Sequence, residues 1–139
     1  MCDRPPRGTD WERPLKRTIA TDRAPRAIGP YSQALMVGSM LFVSGQLPLD
    51  PATDRFPAGG IAELTEQALR NVMSIVEAAG FTPTDVVKTT CLMTDLADFQ
   101  DFNETYARFF PTEPPARETY QVAALPRGAR LEISAICAR

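Results

Sequence analysis

The chain has 139 residues, of which 44% are hydrophobic and 23% charged. That is globular composition and the length of one compact domain, able to bury about two-thirds of its unfolded surface without staples. Lys and Arg number 15 against 17 Asp and Glu, a formal charge of -2, which argues against a chain whose first task is gripping phosphate backbones.

Histidine is absent. Ser-His-Asp and Cys-His nucleophile systems are thereby excluded, as is the commonest imidazole ligand of zinc. Acid–base work falls to carboxylates, Lys, Tyr, Cys or bound water. Cys2, Cys91 and Cys137 are odd in number, widely spaced and in no CxxC arrangement, so neither a disulfide framework nor a thiolate metal site follows. No apolar stretch approaches the ~18 residues of a membrane span. The first six residues lack the apolar core of a signal peptide. The expectation is a soluble, cytoplasmic protein with reduced thiols, partnered by neither membrane nor nucleic acid.

Residues 1–17 are charged and proline-rich, with Trp11 the one large anchor. Such a stretch buries too little apolar surface to offset its ordering entropy, so it reads as a flexible extension ahead of a domain over 18–139. Seven basic and four acidic residues lie up to Arg26, against eight and thirteen after it. The extension is therefore a solvated leader or a contact for an acidic surface. Two apolar runs, 34–37 and 40–44, flank Gly38-Ser39 and predict a β-hairpin. Residues 45–60, with three prolines, predict a long loop. Ile61, Leu64, Ala68, Val72, Ile75, Val76 and Ala79 recur at helical spacing, with Gly80 placed to cap and Pro83 beyond it. The β-branched run 86–94 predicts a strand. A second helix follows, with Asp98 as its cap, Phe99, Phe102, Tyr106, Phe109 and Phe110 on one face, and Pro111 at its end. Strands over 118–124 and 129–138 flank Leu125-Pro126-Arg127-Gly128, which predicts a closing hairpin.

This order is an α+β layer of five or six strands with two helices on one face. The uncovered face carries mixed side chains and is expected to meet another subunit. Pairing Ala124 with Ala129 in the last hairpin would gather Arg117, Thr119, Glu132 and Ser134 on that face, with Glu118 and Tyr120 toward the helices. An arginine beside a carboxylate reads either as an interface salt bridge or as a guanidinium clamp for a substrate carboxylate beside a water-handling glutamate. Spacing alone leaves both open.

Several separated motifs add to this reading. Ile28-Gly29-Pro30-Tyr31-Ser32-Gln33-Ala34, Ser44-Gly45-Gln46-Leu47-Pro48, Val87-Lys88-Thr89-Thr90, Asn103-Glu104-Thr105-Tyr106, Pro115-Ala116-Arg117 and Leu131-Glu132-Ile133 occur in this order. Together they resemble the RidA (YjgF) family of enamine/imine deaminases, from about residue 18 to 138. The resemblance implies a chorismate-mutase-like fold with about six strands in a mixed sheet and two helices on one face. It also implies a homotrimer with active-site clefts between subunits. The implied activity is hydrolysis of 2-imino or enamine acids, such as 2-iminobutanoate and 2-iminopropanoate, to 2-oxo acids and ammonia, with no metal or organic cofactor.

Position by position, the resemblance makes Arg117 the carboxylate-binding residue and Glu132 the residue that activates water. Tyr31, Gly45 and Thr119 would line the same pocket. Ser44 and Asn103 match recurrent motif positions of less defined role. Each has a plainer structural reading: Tyr31 anchors a turn, Gly45 supplies a positive φ, Asn103 cross-links a loop, and Cys91 and Cys137 are buried hydrophobes. The run Glu118-Thr119-Tyr120-Gln121, with Ser134, departs from the commoner family pattern and leaves the substrate open. Aminoacrylate or a specialised-pathway intermediate is the alternative substrate. A non-catalytic ligand-sensing or holdase-like role is the alternative of another class.

Overall fold

A computed structural model describes residues 16–139. The predicted extension lies outside the described residues except for Lys16 and Arg17, and Arg17 already opens a strand. The elements are β1 (Arg17–Ile19), β2 (Ala34–Val37), β3 (Met40–Gln46), α1 (Ile61–Ala78), β4 (Val86–Met93), α2 (Phe99–Phe109), β5 (Ala116–Gln121) and β6 (Leu131–Ala138). They form a six-stranded sheet in the order β1-β2-β3-β6-β4-β5. Among the described residues only β4 and β5 run parallel.

The predicted first hairpin forms across Gly38, whose φ of 58° supplies the turn. The predicted first helix is α1. Its first turn is closed by Glu63, whose carboxylate accepts the Gly60 N–H at 2.8 Å. It ends on Gly80 at φ 83°, where Phe81 N–H donates to the Val76 carbonyl and Gly80 N–H to that of Glu77. Leu64, Ala68, Leu69, Val72, Ile75 and Val76 are buried in the same core as Leu41, Val43, Leu131, Ile133 and Ala135 of the sheet. Each large side chain buried there contributes about 1.5–3 kcal/mol.

In α2 the aromatic face is as read, with Phe102, Tyr106 and Phe110 buried. Its cap is not. Asp98 makes no side-chain cap; its carboxylate instead accepts from Arg130 Nη2 at 2.8 Å. The preceding Asp95 caps the 3₁₀ turn before α2 by accepting the Ala97 N–H at 2.9 Å.

The expected closing hairpin does not exist. β4 stands between β5 and β6: Thr89, Cys91 and Leu92 of β4 pair with Arg117, Thr119 and Tyr120 on one side, and with Ala135, Ile133 and Glu132 on the other. The β4–α2–β5 crossover returns β5 parallel to β4 on its outer side, as a helical connection requires. β6 then fills the gap between β3 and β4. The side chains explain this choice. β6 alternates buried Leu131, Ile133, Ala135 and Cys137 with half-buried neighbours, as a central strand should, whereas Ala116-Arg117-Glu118-Thr119-Tyr120-Gln121 is mostly exposed and polar, as an edge strand should be.

Losing the hairpin inverts the predicted faces of β5. Arg117 and Thr119 sit at the level of the buried Thr89 and Cys91, on the helix side. Glu118 and Tyr120 lie on the uncovered face with Lys88 and Thr90, and Glu118 pairs with Lys88 at 3.1 Å. Glu132 and Ser134 share that uncovered face.

Candidate active site

Two separate clusters emerge from the residues singled out in the sequence. The first joins β5 to α2. Arg117 Nη1 donates to Asn103 Oδ1 at 2.8 Å. The guanidinium stands 4.8 Å from the centroid of Tyr106, 5.5 Å from that of Phe99 and 5.8 Å from that of Phe102. The aromatic stripe of α2 therefore seats a cation as well as filling the core. Tyr106 is fixed in turn by a 2.6 Å hydrogen bond between its hydroxyl and that of Thr89, one strand inward from Arg117. Arg117 makes no ion pair with any described residue. The Thr119 hydroxyl, two residues along the strand, is buried without a hydrogen-bond partner among the described residues. A planar donor held over aromatic rings, with an unpaired hydroxyl beside it, can accept a carboxylate bidentately.

The second cluster is built around Glu132 on the opposite face of the sheet. β3 carries an irregularity between Val43 and Gln46, and Gly45 lies inside it. A Cβ on Gly45 would meet the Glu132 carboxylate, 2.7 Å from Cδ and closer still to Oε1. The reason for a glycine here is thus space, not the positive φ that the sequence suggested: Gly45 is not among the positive-φ glycines. Glu132 has neither hydrogen bond nor ion pair with any described residue, and burial raises its pKa above the ordinary carboxylate value. The expected partnership with Arg117 within one chain is overturned, because alternation along the strands sends the two side chains to opposite faces.

Tyr31 and Gly45 line a cavity of about 210 Å³ together with Leu47, Pro126 and Arg127. Ser44 Oγ donates to the Ser32 carbonyl at 2.6 Å, and Ser44 N–H donates to that of Gln33 at 2.9 Å. Ser44 therefore fixes the segment that carries Tyr31 instead of facing the cavity with a free hydroxyl. Among the described residues the Tyr31 hydroxyl accepts a single long 3.4 Å bond, from Ile28 N–H, and its ring is half exposed.

Two buried amides shape this cavity and went unread in the sequence. Gln33 accepts from Thr21 N–H and donates to the carbonyls of Thr21, Ala24 and Pro25. Asn71 of α1 donates to the carbonyls of Leu47 and Leu49 at 3.0 and 2.8 Å. The signal for Asn71 was available: a polar residue on the apolar stripe of a helix must find partners. Gln33, at the mouth of a hairpin, gave no such signal.

The family model described as endoribonuclease L-PSP matches residues 21–139. A RutC family protein, y4sK of Sinorhizobium fredii, is 54% identical over 85% of this chain and 94% of its own length. This chain belongs to the RidA (YjgF) family. A human relative within it, named 2-iminobutanoate/2-iminopropanoate deaminase, is 49% identical over 88% of this chain and 89% of its own length. The crystal structure of the YjgF gene product from E. coli superposes with a TM-score of 0.85 at 47% identity, covering 88% of this chain and 98% of that one. The six-stranded mixed sheet with two helices on one face is thus the chorismate-mutase-like arrangement of the RidA family.

Proposed function

We propose that the protein hydrolyses 2-imino acids and their enamine tautomers to 2-oxo acids and ammonia, in clefts formed between the subunits of a homotrimer. What carries the reading is that Arg117 and Glu132, each without an ionic partner among the described residues, lie on opposite faces of one sheet. No substrate a few carbons long can touch both in a single chain. Two copies resolve this: the β5 edge of one, with Arg117, Asn103 and Thr119, meets the uncovered face of the next, with Tyr31, Gly45 and Glu132. The name of the human relative supports imines as the substrate class.

In this cleft Arg117 binds the substrate carboxylate by paired charge-assisted hydrogen bonds, and Asn103 and the aromatic rings fix its plane. The enamine tautomerises to an imine whose protonated nitrogen makes C2 electrophilic. Water attacks C2 while Glu132 takes its proton. Glu132 then returns that proton to the carbinolamine nitrogen, the C–N bond breaks, ammonia leaves, and the C2 hydroxyl gives up its proton as it becomes the carbonyl. The raised pKa of Glu132 makes it a stronger base than an ordinary carboxylate, which favours proton transfer near neutral pH. Proton acceptance contributes about 10²–10⁴-fold. Because the imine already reacts with water, positioning supplies the rest.

The test is to generate 2-iminobutanoate from threonine with a dehydratase and follow 2-oxobutanoate formation. Acceleration over the dehydratase alone, lost in Glu132→Gln, is expected. No acceleration at any concentration of this protein would overturn the proposal.

A further inference from the structure

Arg26 occupies a wall of the cavity that holds Tyr31 and Gly45, and it also borders the two neighbouring grooves. Its backbone is not loose. Gln33, itself buried, donates its two amide hydrogens to the carbonyls of Pro25 at 2.7 Å and Thr21 at 3.1 Å, with that of Ala24 sharing one at 3.4 Å, so the chain is anchored where it reaches Arg26. The side chain is exposed and forms no hydrogen bond or ion pair with any described residue.

The other arginine of this cavity differs. Arg127 donates from Nη1 to Asp54 Oδ1 at 2.9 Å and from Nη2 to the Asp54 carbonyl at 3.1 Å, which occupies its fork. Among the described residues no acidic side chain lines the cavity, whose remaining walls are Pro25, Ile28, Leu47, Leu49 and Pro126 with the Gln46 amide. Asp22 borders both neighbouring grooves with Arg26, without a hydrogen bond or ion pair to it, and Asp54 borders one of them and is already engaged by Arg127. An apolar cavity with, among the described residues, one uncommitted cation in its wall suits a short hydrocarbon ending in an anion.

We infer that Arg26 is a specificity-determining residue, which receives the second carboxylate of a dicarboxylic 2-imino acid whose C2 lies near Glu132 beside Gly45. This rests on the deaminase reading: Arg117 takes the carboxylate on C2, and the substrate side chain runs into the Tyr31 cavity toward Arg26. Hydrolysis is unchanged in its balance, one water in and one ammonia out, so Arg26 acts on binding of the distal group alone. A monocarboxylic imine lacks that group and gains nothing from it.

The experiment compares two imines formed in situ by amino-acid oxidases with catalase present: 2-iminosuccinate from aspartate and 2-iminobutanoate from 2-aminobutanoate. Semicarbazide intercepts the remaining imine, and kcat/KM is taken for wild type, Arg26→Ala and Arg26→Lys. The ratio of dicarboxylic to monocarboxylic kcat/KM is expected to fall about tenfold in Arg26→Ala, the scale of one charge-assisted contact, and to recover in part in Arg26→Lys. Raising salt should lower the ratio in the wild type and not in Arg26→Ala. A ratio that stays within about twofold across the three proteins, with 2-iminobutanoate still hydrolysed, would overturn the role of Arg26 and leave the deaminase reading intact. Failure of the wild type to hydrolyse either imine would overturn both.

Discussion

Replacing Gly45 with alanine tests the seat of Glu132 directly. The added Cβ would lie 2.7 Å from Glu132 Cδ and 3.0 Å from Cγ. Carbon atoms rest at about 3.5–4.0 Å, so the carboxylate must withdraw by about 1 Å. A displacement of that size at a reacting centre costs about 10²-fold in rate. Stability should suffer far less, because the obstructed group is the end of a flexible side chain. Overpacking of about 1–3 kcal/mol is offset by about 0.4–1 kcal/mol from the stiffer unfolded chain. The net, about 1 kcal/mol, corresponds to roughly 4 °C in Tm for a domain of this size. Imine hydrolysis and thermal melting of Gly45→Ala would be measured beside Glu132→Ala and the double variant. The expected pattern is a hundredfold slower single variant whose loss of stability vanishes once Glu132 is shortened. Wild-type turnover in Gly45→Ala, or an equal loss of Tm on the Glu132→Ala background, would refute the close-approach argument.

Four other outcomes follow from the same geometry. Glu132→Gln should retain assembly while turnover falls about 10²-fold or more, measured on 2-iminobutanoate. The stability of the wild type should respond to pH in a defined direction. A carboxyl with a raised folded pKa binds its proton more tightly when folded, so the wild type loses stability as pH rises from the ordinary carboxylate range through that raised value. Melting curves from acid to neutral pH should therefore fall for the wild type relative to Glu132→Gln, and parallel curves would contradict the assignment. Arg117→Lys should lose most activity through a raised KM, since a point cation replaces a planar fork seated on Tyr106, and an unchanged KM would remove the carboxylate clamp. Finally, inactive Arg117→Ala and Glu132→Gln chains, unfolded together and reassembled at equal amounts, should regain about one quarter of wild-type activity, because random mixing leaves that share of clefts with both residues; no recovery in mixed trimers would show that the site does not span two copies.

Most of the local structure was legible in neighbouring residues. The 3.6-residue stripe from Ile61 to Val76 together with Gly80 fixed α1, and the aromatic face from Phe99 to Phe110 marked α2. These signals are local: a helix closes its own hydrogen bonds, so its face and cap are written in adjacent residues. The motifs around Tyr31, Gly45, Arg117 and Glu132 were legible in the same way, as was the family to which the chain belongs. Strand partnership was not. A turn such as Leu125-Pro126-Arg127-Gly128 signals a reversal, yet it cannot say whether the two strands pair directly or admit a third between them. Tertiary structure placed β4 in that gap, since the apolar alternation of β6 pairs best with a strand on each side and polar β5 belongs at an edge. One displaced strand then reversed which side chains share a face, because neighbours on a strand point to opposite sides. Arg117 thereby went to the rings of α2 and Glu132 to the space over Gly45. Only packing across the sheet could decide that separation, since it depends on residues far apart in the chain that compete for the same hydrogen-bonding edge.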